Sequence, residues 1–314
     1  MRRVAALLAA ALVGPGLAAC GGGGAEPGAP PGATLVLDFQ PNAVHSGIYA
    51  AQANGSFEDE GVDLTIRQPS STADSAKLLE SDRADFAVMD INDFGIARQR
   101  GLDLVAIAAI VQRPLASVIA RDRDEIRAPG DLAGKTIGVT GVPSDDAVLD
   151  TVLRTGGVDP LDVHRVTIGF NAVSALAAGK VDAATAFWNA EGVQLGQMGV
   201  PIREFRVDDF GAPRYPELVL VTRSDTAAGP LAGRVRLALA RAYELLGHDP
   251  QAALEDLLAS VEGLDPESQR AQLDALVSSR AFALGEAAAT PALDPSTIDR
   301  WRRWASAAGL LSRS

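Results

Sequence analysis

The apolar residues of this chain repeat one pattern of secondary structure twice. Short apolar runs typical of buried strands alternate with longer segments of helical periodicity. The predicted strands are 35–38, 64–67 and 86–89 in the first copy, and 136–139, 165–168 and 183–187 in the second. Strands that alternate with helices form parallel sheets with right-handed crossovers. We therefore predict an α/β protein with two parallel sheets, each flanked by helices.

The order of the two copies predicts two lobes. Extended apolar segments at 116–121 and 218–223 stand on either side of the second copy, and we predict that they carry the chain to a second lobe and back. Ligands of parallel α/β sheets bind beyond the carboxyl ends of the strands, so both lobes are expected to face one cleft. Lobe 1 is expected to comprise residues 34–116 and 222–314, and lobe 2 residues 117–221.

The N-terminal segment has the features of an export signal. Two arginines precede a short apolar run, and the small residues Leu-Ala-Ala stand directly before Cys20, as in a bacterial lipobox. We predict a signal peptide over residues 1–19 and a lipid on Cys20, the only cysteine of the chain. An ordinary signal peptide with an incidental cysteine is the alternative. Residues 20–33, rich in glycine, proline and alanine, are expected to form a flexible tether.

Composition removes several classes of function. A formal net charge of −12 without a basic cluster argues against nucleic-acid binding. The N-terminal apolar run is too short to span a bilayer, so any transmembrane function is assigned to a partner. His164 and His248 lie in segments unrelated to His45, so we predict neither a metal site nor a bound cofactor.

Unusual polar and aromatic residues cluster after the first predicted strand. Phe39, Asn42, His45 and Tyr49 surround a turn between that strand and the next helix, and His45 and Tyr49 are four residues apart and so share a helical face. We predict that these four residues contact a ligand. For His45, a helix-start role and a metal ligand are the alternatives.

A second cluster ends the last strand of the second copy. Trp188 and Glu191 suit a flat nitrogen heterocycle, because an indole stacks on its face and a carboxylate accepts hydrogen bonds from its amine and ring N–H groups. We predict that both residues contact the ligand. Core packing of Trp188 and a solvated helix cap at Glu191 are the alternatives.

Two further candidates follow other predicted strands. Asp90 is expected to present a carboxylate to the cleft, which favours a ligand with N–H donors, while Asp93 is expected to cap or solvate the next helix. Ser144 is expected to be the N-cap of a helix whose N–H groups point toward the cleft. A capping role without ligand contact is the alternative for Ser144.

The first cluster resembles the motif D-W-x-P-N-x-x-H-x-G-x-Y-x-A of the substrate-binding lipoproteins of ABC importers that are related to the thiamine-pyrimidine-synthesis proteins. The matching residues are Asp38, Phe39, Pro41, Asn42, His45, Gly47, Tyr49 and Ala50. The departure is Phe39, where an indole is commoner, which removes an N–H donor.

This resemblance implies a bilobed periplasmic-binding-protein type II fold and an ABC permease as partner. It also implies a lipid anchor on the outer face of the bacterial cytoplasmic membrane. The implied ligand is a thiamine-pathway pyrimidine of the aminomethyl or hydroxymethyl type, with Glu191 at the position of the carboxylate that binds it. Proteins of this architecture usually work as monomers, so a monomer is expected.

Two alternatives to this function stay open. The same fold could bind an alkanesulfonate, nitrate or another flat heterocycle such as a flavin precursor. Eukaryotic proteins that resemble this family are enzymes that make the pyrimidine, using a cofactor-bearing lysine and a cysteine-rich stretch. Here the three lysines lie outside the first motif and the one cysteine is at the lipobox, so we do not predict an enzyme.

The last third of the chain is alanine-rich and predicted to be helical. The apolar spacing indicates helices over 235–246, 251–257 and 297–311. Trp301 and Trp304 lie on one face of the last helix. Packing against lobe 1 is the expectation, and a surface for the transporter partner is the alternative.

Overall fold

The computed structural model describes residues 32–69, 74–122, 125–282 and 293–312. The predicted signal peptide, Cys20 and nearly all of the predicted tether lie outside these residues. The strands are β1 (Gly32–Val36), β2 (Asp63–Arg67), β3 (Phe86–Asp90), β4 (Leu104–Val111), β5 (Ala116–Arg121), β6 (Thr136–Val139), β7 (His164–Thr167), β8 (Ala183–Phe187), β9 (Ile202–Arg206) and β10 (Leu218–Arg223).

The described helices cover the faces of the sheets. None of them is both long and apolar enough to cross a membrane. They are α1 (Ser46–Ala53), α2 (Ser56–Asp59), α3 (Asp74–Glu80), α4 (Ile91–Gln99), α5 (Pro143–Thr155), α6 (Ala172–Ala177), α7 (Val193–Gln197), α8 (Pro230–His248), α9 (Pro250–Ser260), α10 (Pro266–Ser278) and α11 (Pro295–Ala307).

The strands form two five-stranded sheets, one in each lobe. Their orders are β2-β1-β3-β10-β4 and β7-β6-β8-β5-β9. The three strands of each sequence repeat pair in parallel, β1 with β2 and β3, and β6 with β7 and β8. The predicted repeat and its two parallel sheet cores are therefore confirmed, and the loops after their carboxyl ends face each other.

The segments predicted to link the lobes are strands of the sheets. β5 pairs antiparallel with β8 and β9, and β10 pairs antiparallel with β3 and β4. The chain crosses to the second lobe between β4 and β5, and it returns between β9 and β10. The sheet order thus places all of β10 in lobe 1, whereas the predicted boundary at residue 222 falls inside this strand. A run of apolar residues does not reveal whether a strand links two sheets or completes one.

Helix α1, which carries the first motif, packs deep in lobe 1 against α8 and α9. Gly47 makes this approach possible, since a Cβ atom there would lie 2.7 Å from the ring of Tyr243 on α8. The glycine of the motif is thus explained by close packing between helices. Tyr49 faces the same core and has 6% of its surface exposed.

Trp301 and Trp304 are core residues of lobe 1, as expected. Both belong to an apolar cluster that also contains residues of β3, β4 and β10. The indole N–H of Trp301 donates to Asn92 Oδ1 at 2.8 Å. The Trp304 ring stacks on Tyr215 with a centroid distance of 5.3 Å. Their burial removes the alternative of a partner surface for these two side chains.

Candidate functional site

A cavity of about 110 Å³ lies between the lobes at the carboxyl ends of the parallel strands. Both lobes contribute to its wall, and we call it the inner cavity. Residues after β1 and β3 line it from lobe 1, and residues after β6, β7 and β8 line it from lobe 2. The strand ends that the repeat identifies therefore converge here, except the end of β2, where Gln68 is exposed and outside the wall.

The two lobes touch across the mouth of this cavity. Phe39 of lobe 1 meets Phe170 of lobe 2 edge to face, with ring centroids 5.1 Å apart. The Ser144 hydroxyl of lobe 2 donates to Asp93 Oδ1 of lobe 1 at 3.2 Å. These contacts place the protein in a closed conformation, because each joins side chains of different lobes.

Acidic groups dominate the polar part of the inner cavity. No lysine or arginine is among the described residues of its wall. A negatively charged ligand would find no basic side chain to pair with among these residues, whereas a ligand with N–H donors would find acceptors. The acidic residues of the wall are Asp38, Asp90, Asp93, Asp145 and Glu191.

Asp90 and Asp93 both line the cavity, and Asp90 rather than Asp93 caps the next helix. Asp90 is the N-cap of α4, because its Oδ1 accepts from Asn92 N–H at 2.6 Å, although the residue also lines the cavity. Asp93 does not cap the helix but faces the cleft and Ser144. Burial, followed by the charge of Asp90, raises the pKa of Asp93 to about 7. The expectation that Asp93 is the capping residue is therefore corrected.

A buried pair of carboxyl groups, Asp90 and Glu217, lies below the cavity. Glu217 is fully buried, and its Oε2 accepts from Leu115 N–H at 2.7 Å on the segment that crosses between the lobes. Its backbone carbonyl accepts from Ile91 N–H, which holds Glu217 beside Asp90. Burial raises the pKa of Glu217 to about 7, and burial and the charge of Glu217 raise the pKa of Asp90. Local sequence does not predict a role for Glu217, because its proximity to Asp90 depends on the antiparallel pairing of β10 with β3.

Stability is expected to fall as the pH rises from about 4.5 to about 7, the interval between the ordinary and the folded pKa of Glu217. Over this interval the unfolded chain loses the proton that folded Glu217 retains, so the unfolded state gains relative stability.

Glu217→Gln supplies a permanent N–H donor toward Asp90. We expect this variant to depend less on pH and to melt about 2 °C or more above the wild type near pH 8.

Thermal melts between about pH 4 and pH 8 measure this effect. Exposed Glu262→Gln removes the same charge at the surface and serves as the control. Identical pH profiles for the wild type and Glu217→Gln would contradict the assignment of a buried proton to this pair.

Glu191 lies in the inner cavity on a π-helical turn, Trp188–Gly192, that follows β8. Its Oε2 accepts from Phe187 N–H at 3.0 Å, which fixes the carboxyl group against the end of the strand. Burial raises the pKa of Glu191. A π-helical turn widens the backbone, and such turns are frequent at functional sites.

Asn189, on the same turn, also belongs to the wall of the cavity. It is 1% exposed, and its Oδ1 accepts no hydrogen bond within the described part of the chain. A buried amide oxygen without a donor is unusual and offers an acceptor to a ligand in the cavity. Asn189 is not among the contacts predicted from the sequence, although its position between Trp188 and Glu191 indicates a place at the same strand end.

Trp188 does not line the inner cavity, which corrects its predicted role. The ring is 1% exposed, and its N–H donates to the carbonyl of Pro114 at 2.9 Å. The guanidinium of Arg206 lies 4.2 Å from the ring centroid. Trp188 therefore packs where the chain crosses between the lobes, in agreement with the packing alternative. Residues 188 and 191 point to opposite sides of the turn, which sequence spacing alone does not show.

The residues of the first motif divide between wall and support. Phe39 and Asn42 line the inner cavity, whereas His45 and Tyr49 do not. His45 is fully buried, and its Nδ1 accepts from Asn42 N–H at 3.1 Å while Nε2–H donates to Asp38 Oδ1 at 2.9 Å. The predicted ligand contacts of His45 and Tyr49 are therefore corrected. His45 instead orients two residues of the wall, and Tyr49 packs in the core.

Ser144 lines the cavity but is not the N-cap that we predicted. Helix α5 begins at Pro143 with Val142 as its N-cap, so Ser144 lies inside the first turn. Asp145 holds this loop in place, since its Oδ2 accepts from Thr140 N–H at 2.8 Å and from the Thr185 hydroxyl at 2.7 Å. Across the described residues, no group of three or more His, Cys, Asp or Glu side chains is placed to hold a metal ion.

Two lobes that close over a cleft between parallel sheet cores define the periplasmic-binding-protein type II fold. Among solved structures, the alkanesulfonate-binding protein SsuA from Xanthomonas axonopodis pv. citri superimposes with a TM-score of 0.69. The match covers 92% of this chain and 96% of that chain at 20% identity. At this identity the similarity establishes the fold alone.

The chain belongs to the NMT1/THI5-like family, whose model matches residues 42–253. A formylaminopyrimidine-binding protein of Halalkalibacterium halodurans is 33% identical over 230 residues, which are 72% of this chain and 69% of that protein. A 4-amino-5-hydroxymethyl-2-methylpyrimidine phosphate synthase of Legionella pneumophila subsp. pneumophila is 26% identical over 177 residues, 56% of each chain. The resemblance that the first motif indicates is confirmed.

Proposed function

We propose that this protein is the solute-binding component of an ABC importer and that its ligand is a thiamine-pathway pyrimidine of the aminomethyl or hydroxymethyl type. The observation that carries this proposal is the wall of the inner cavity, which is acidic and lacks lysine and arginine among its described residues. An aminopyrimidine presents amine and ring N–H donors to such a wall. The similarity to a formylaminopyrimidine-binding protein supports the same ligand class.

Individual residues of the inner cavity have distinct roles in this proposal. The Phe39 ring covers a flat heterocycle at the mouth, and Glu191 accepts from its exocyclic amine. The Oδ1 atom of Asn189 accepts no hydrogen bond within the described residues. In this proposal it binds a neighbouring polar group of the ring. Asp90, predicted as a further contact, lines the same cavity but also caps α4 and pairs with Glu217.

Closure of the lobes completes the site. The contacts of Phe39 with Phe170 and of Ser144 with Asp93 form only when the lobes approach each other. The hinge lies in the two crossing segments, where Trp188 and Glu217 bind the backbone of Pro114 and Leu115. A ligand that contacts both lobes favours the closed state by its additional contacts there.

The alternative ligands fit this cavity less well. Alkanesulfonates and nitrate carry a negative charge, and the wall offers no lysine or arginine among its described residues to pair with it. A flavin precursor is a fused ring system, whereas the volume of about 110 Å³ suits one small ring. An engineered protein cavity of about 150 Å³ binds a single benzene molecule.

Transport without catalysis is part of the proposal. The synthases of this family are matched over about half of their length, whereas the binding protein is matched over more than two thirds. The wall of the inner cavity contains none of the three lysines, Lys77, Lys135 and Lys180. None of them is therefore placed to carry a cofactor at this site. Pyrimidine formation by the purified protein would contradict this part.

The anchored location is also proposed. Cleavage before Cys20 and lipidation of that cysteine would anchor the protein to the outer face of the cytoplasmic membrane, beside its permease. The anchored protein is proposed to be a monomer. The lipobox and the resemblance to binding lipoproteins support this arrangement. Mass spectrometry of the N-terminal peptide from the native host tests it, with a diacylglyceryl thioether on Cys20 as the expected result.

A ligand panel tests the main proposal. We expect a formylaminopyrimidine and a hydroxymethylpyrimidine to raise the melting temperature of the mature protein, because a ligand that binds only the folded state stabilises it by about 2.7 kcal/mol at a hundred times its dissociation constant. Ethanesulfonate, nitrate and riboflavin are the comparison compounds. A shift with one of these and none with the pyrimidines would overturn the pyrimidine assignment.

A further inference from the structure

A second and larger opening, of about 870 Å³, adjoins the inner cavity on the far side of Phe39 and Phe170. We call it the outer chamber. Lobe 1 contributes residues of the first motif turn and of α10, and lobe 2 contributes residues around α6 and α7. Phe39, Phe170 and Glu191 belong to the walls of both spaces, so the outer chamber begins where the inner cavity ends.

The wall of the outer chamber is polar and carries two carboxyl groups, those of Glu191 and Asp265. Its two acidic residues are already engaged, since Glu191 accepts from Phe187 N–H and Asp265 caps α10 by accepting from Glu267 and Ser268 N–H. No lysine or arginine is among its described residues. Amides supply most of the remaining polar groups, from Gln40, Asn171, Gln194, Gln197, Gln269 and Gln272. Such a wall suits a neutral group that forms hydrogen bonds.

Two of these glutamines carry buried acceptors without a donor. Gln269 is 7% exposed and Gln272 is 6% exposed, and the Oε1 atom of each accepts no hydrogen bond within the described residues. Buried polar atoms are normally paired, and an unpaired one reduces stability. The terminal torsion of a glutamine is soft, so each amide can turn toward a donor in the chamber, for Gln272 at the cost of the long hydrogen bond from its Nε2–H to Ser268 Oγ at 3.4 Å.

The position of these glutamines depends on lobe closure. They lie on α10 of lobe 1, which packs against the π-helical turn of Trp188–Gly192 and against α7 of lobe 2. Both glutamines share the wall of the outer chamber with Glu191 of that turn. A group that leaves the inner cavity past Glu191 would meet them directly.

We propose that the outer chamber is a second subsite, which binds an uncharged, hydrogen-bond-donating substituent carried by the heterocycle in the inner cavity. Its donors would be N–H or O–H groups, as in an acylamino or hydroxyacyl chain, and their acceptors would be Gln269 Oε1 and Gln272 Oε1. This inference rests on the proposed pyrimidine function, because the ring in the inner cavity sets where the substituent begins.

Calorimetry with a series of aminopyrimidines tests the subsite. The ring carries, in turn, a methyl group, a formylaminomethyl group, a hydroxyacetylaminomethyl group, and a succinylaminomethyl group with a terminal carboxylate. With the wild-type protein, we expect each neutral donor-bearing chain to bind about tenfold or more tightly than the methyl compound. The carboxylate chain is expected to gain less than the neutral chains.

The variant with Gln269→Leu and Gln272→Leu removes both acceptors. We expect it to bind the methyl compound as the wild type does and to lose the gain from the neutral chains. Its melting temperature should equal or exceed that of the wild type, since two unpaired buried acceptor atoms are removed and only the long Gln272–Ser268 hydrogen bond is lost. Gln272→Met, which keeps the side-chain length, is the second variant in case the double variant does not fold, and exposed Gln99→Leu is the control.

The outcomes separate the subsite from the function on which it rests. Equal binding of the methyl and neutral-chain compounds to the wild type would overturn the subsite and leave the pyrimidine function standing. Retention of the gain in the glutamine variants would also overturn it. Failure of every compound to bind the wild type would overturn the proposed function and the subsite together.

Discussion

Glu191→Gln is expected to lower the affinity for an aminopyrimidine about tenfold or more, the scale of one charge-assisted hydrogen bond. Glu191 is the acidic residue that the π-helical turn holds in the inner cavity, with one oxygen fixed by Phe187 N–H. A glutamine can keep that backbone hydrogen bond through its carbonyl oxygen. Its amide group then faces the ligand amine with donors, so that an attraction becomes a repulsion between two donors.

Isothermal titration calorimetry measures this change, and melting temperatures without ligand show whether the fold is intact. Glu58→Gln, at an exposed position of α2, removes the same charge far from the cleft and is expected to bind as the wild type does. Unchanged affinity in the Glu191 variant would reject this residue as a ligand contact. An equal loss in both variants would indicate a general effect of net charge.

Trp188→Ala is expected to lower the free energy of unfolding by about 3–5 kcal/mol, as large truncations of buried aromatic residues do. The ring is enclosed between Arg206 and the apolar cluster of lobe 1, and its N–H binds the carbonyl of Pro114. Its removal leaves a cavity where the chain crosses between the lobes. A ligand-stacking tryptophan would instead lower affinity and leave stability almost unchanged.

Trp188→Phe distinguishes these two roles. It keeps a ring beneath Arg206 but loses the hydrogen bond to Pro114, so we expect a loss of stability of about 1 kcal/mol. Pyrimidine affinity is expected to stay within about threefold of the wild type, since Trp188 is outside the wall of the inner cavity. Chemical denaturation and calorimetry provide the two measurements. A large loss of affinity with unchanged stability in this variant would restore Trp188 as a ligand contact.

The first motif shows how far local sequence can define a site. The residue types and their spacing predict a strand, a turn and a helix, and these form as β1, the turn at Asn42 and α1. His45 ends a 3-10 turn, Ala43–His45, directly before α1, and both His45 and Tyr49 are buried within lobe 1. Helical periodicity indicates which residues share a face, whereas only the packing of α1 on α8 and α9 decides which face meets the cleft.

The second motif shows the same limit at a turn. Sequence spacing predicts that Trp188 and Glu191 follow a strand end at the cleft, and Glu191 does line the cavity. The π-helical turn separates them, because it sends the indole toward Pro114 and the carboxyl group toward the cavity. Unusual helical turns depend on the contacts on both sides, so residue spacing alone did not predict this one.

Residue pattern alone predicts the repeated parallel sheet cores, the shared cleft at their strand ends and the acidic character of the site. These features follow from periodicity and residue type, which act over short stretches of chain. The folded arrangement is needed for the antiparallel completion of each sheet by β5 and β10, for the proximity of Glu217 to Asp90, and for the approach of α10 to the cleft. Each of these depends on contacts between residues far apart in the chain, and the free energy of such contacts is set by the packed fold rather than by local sequence.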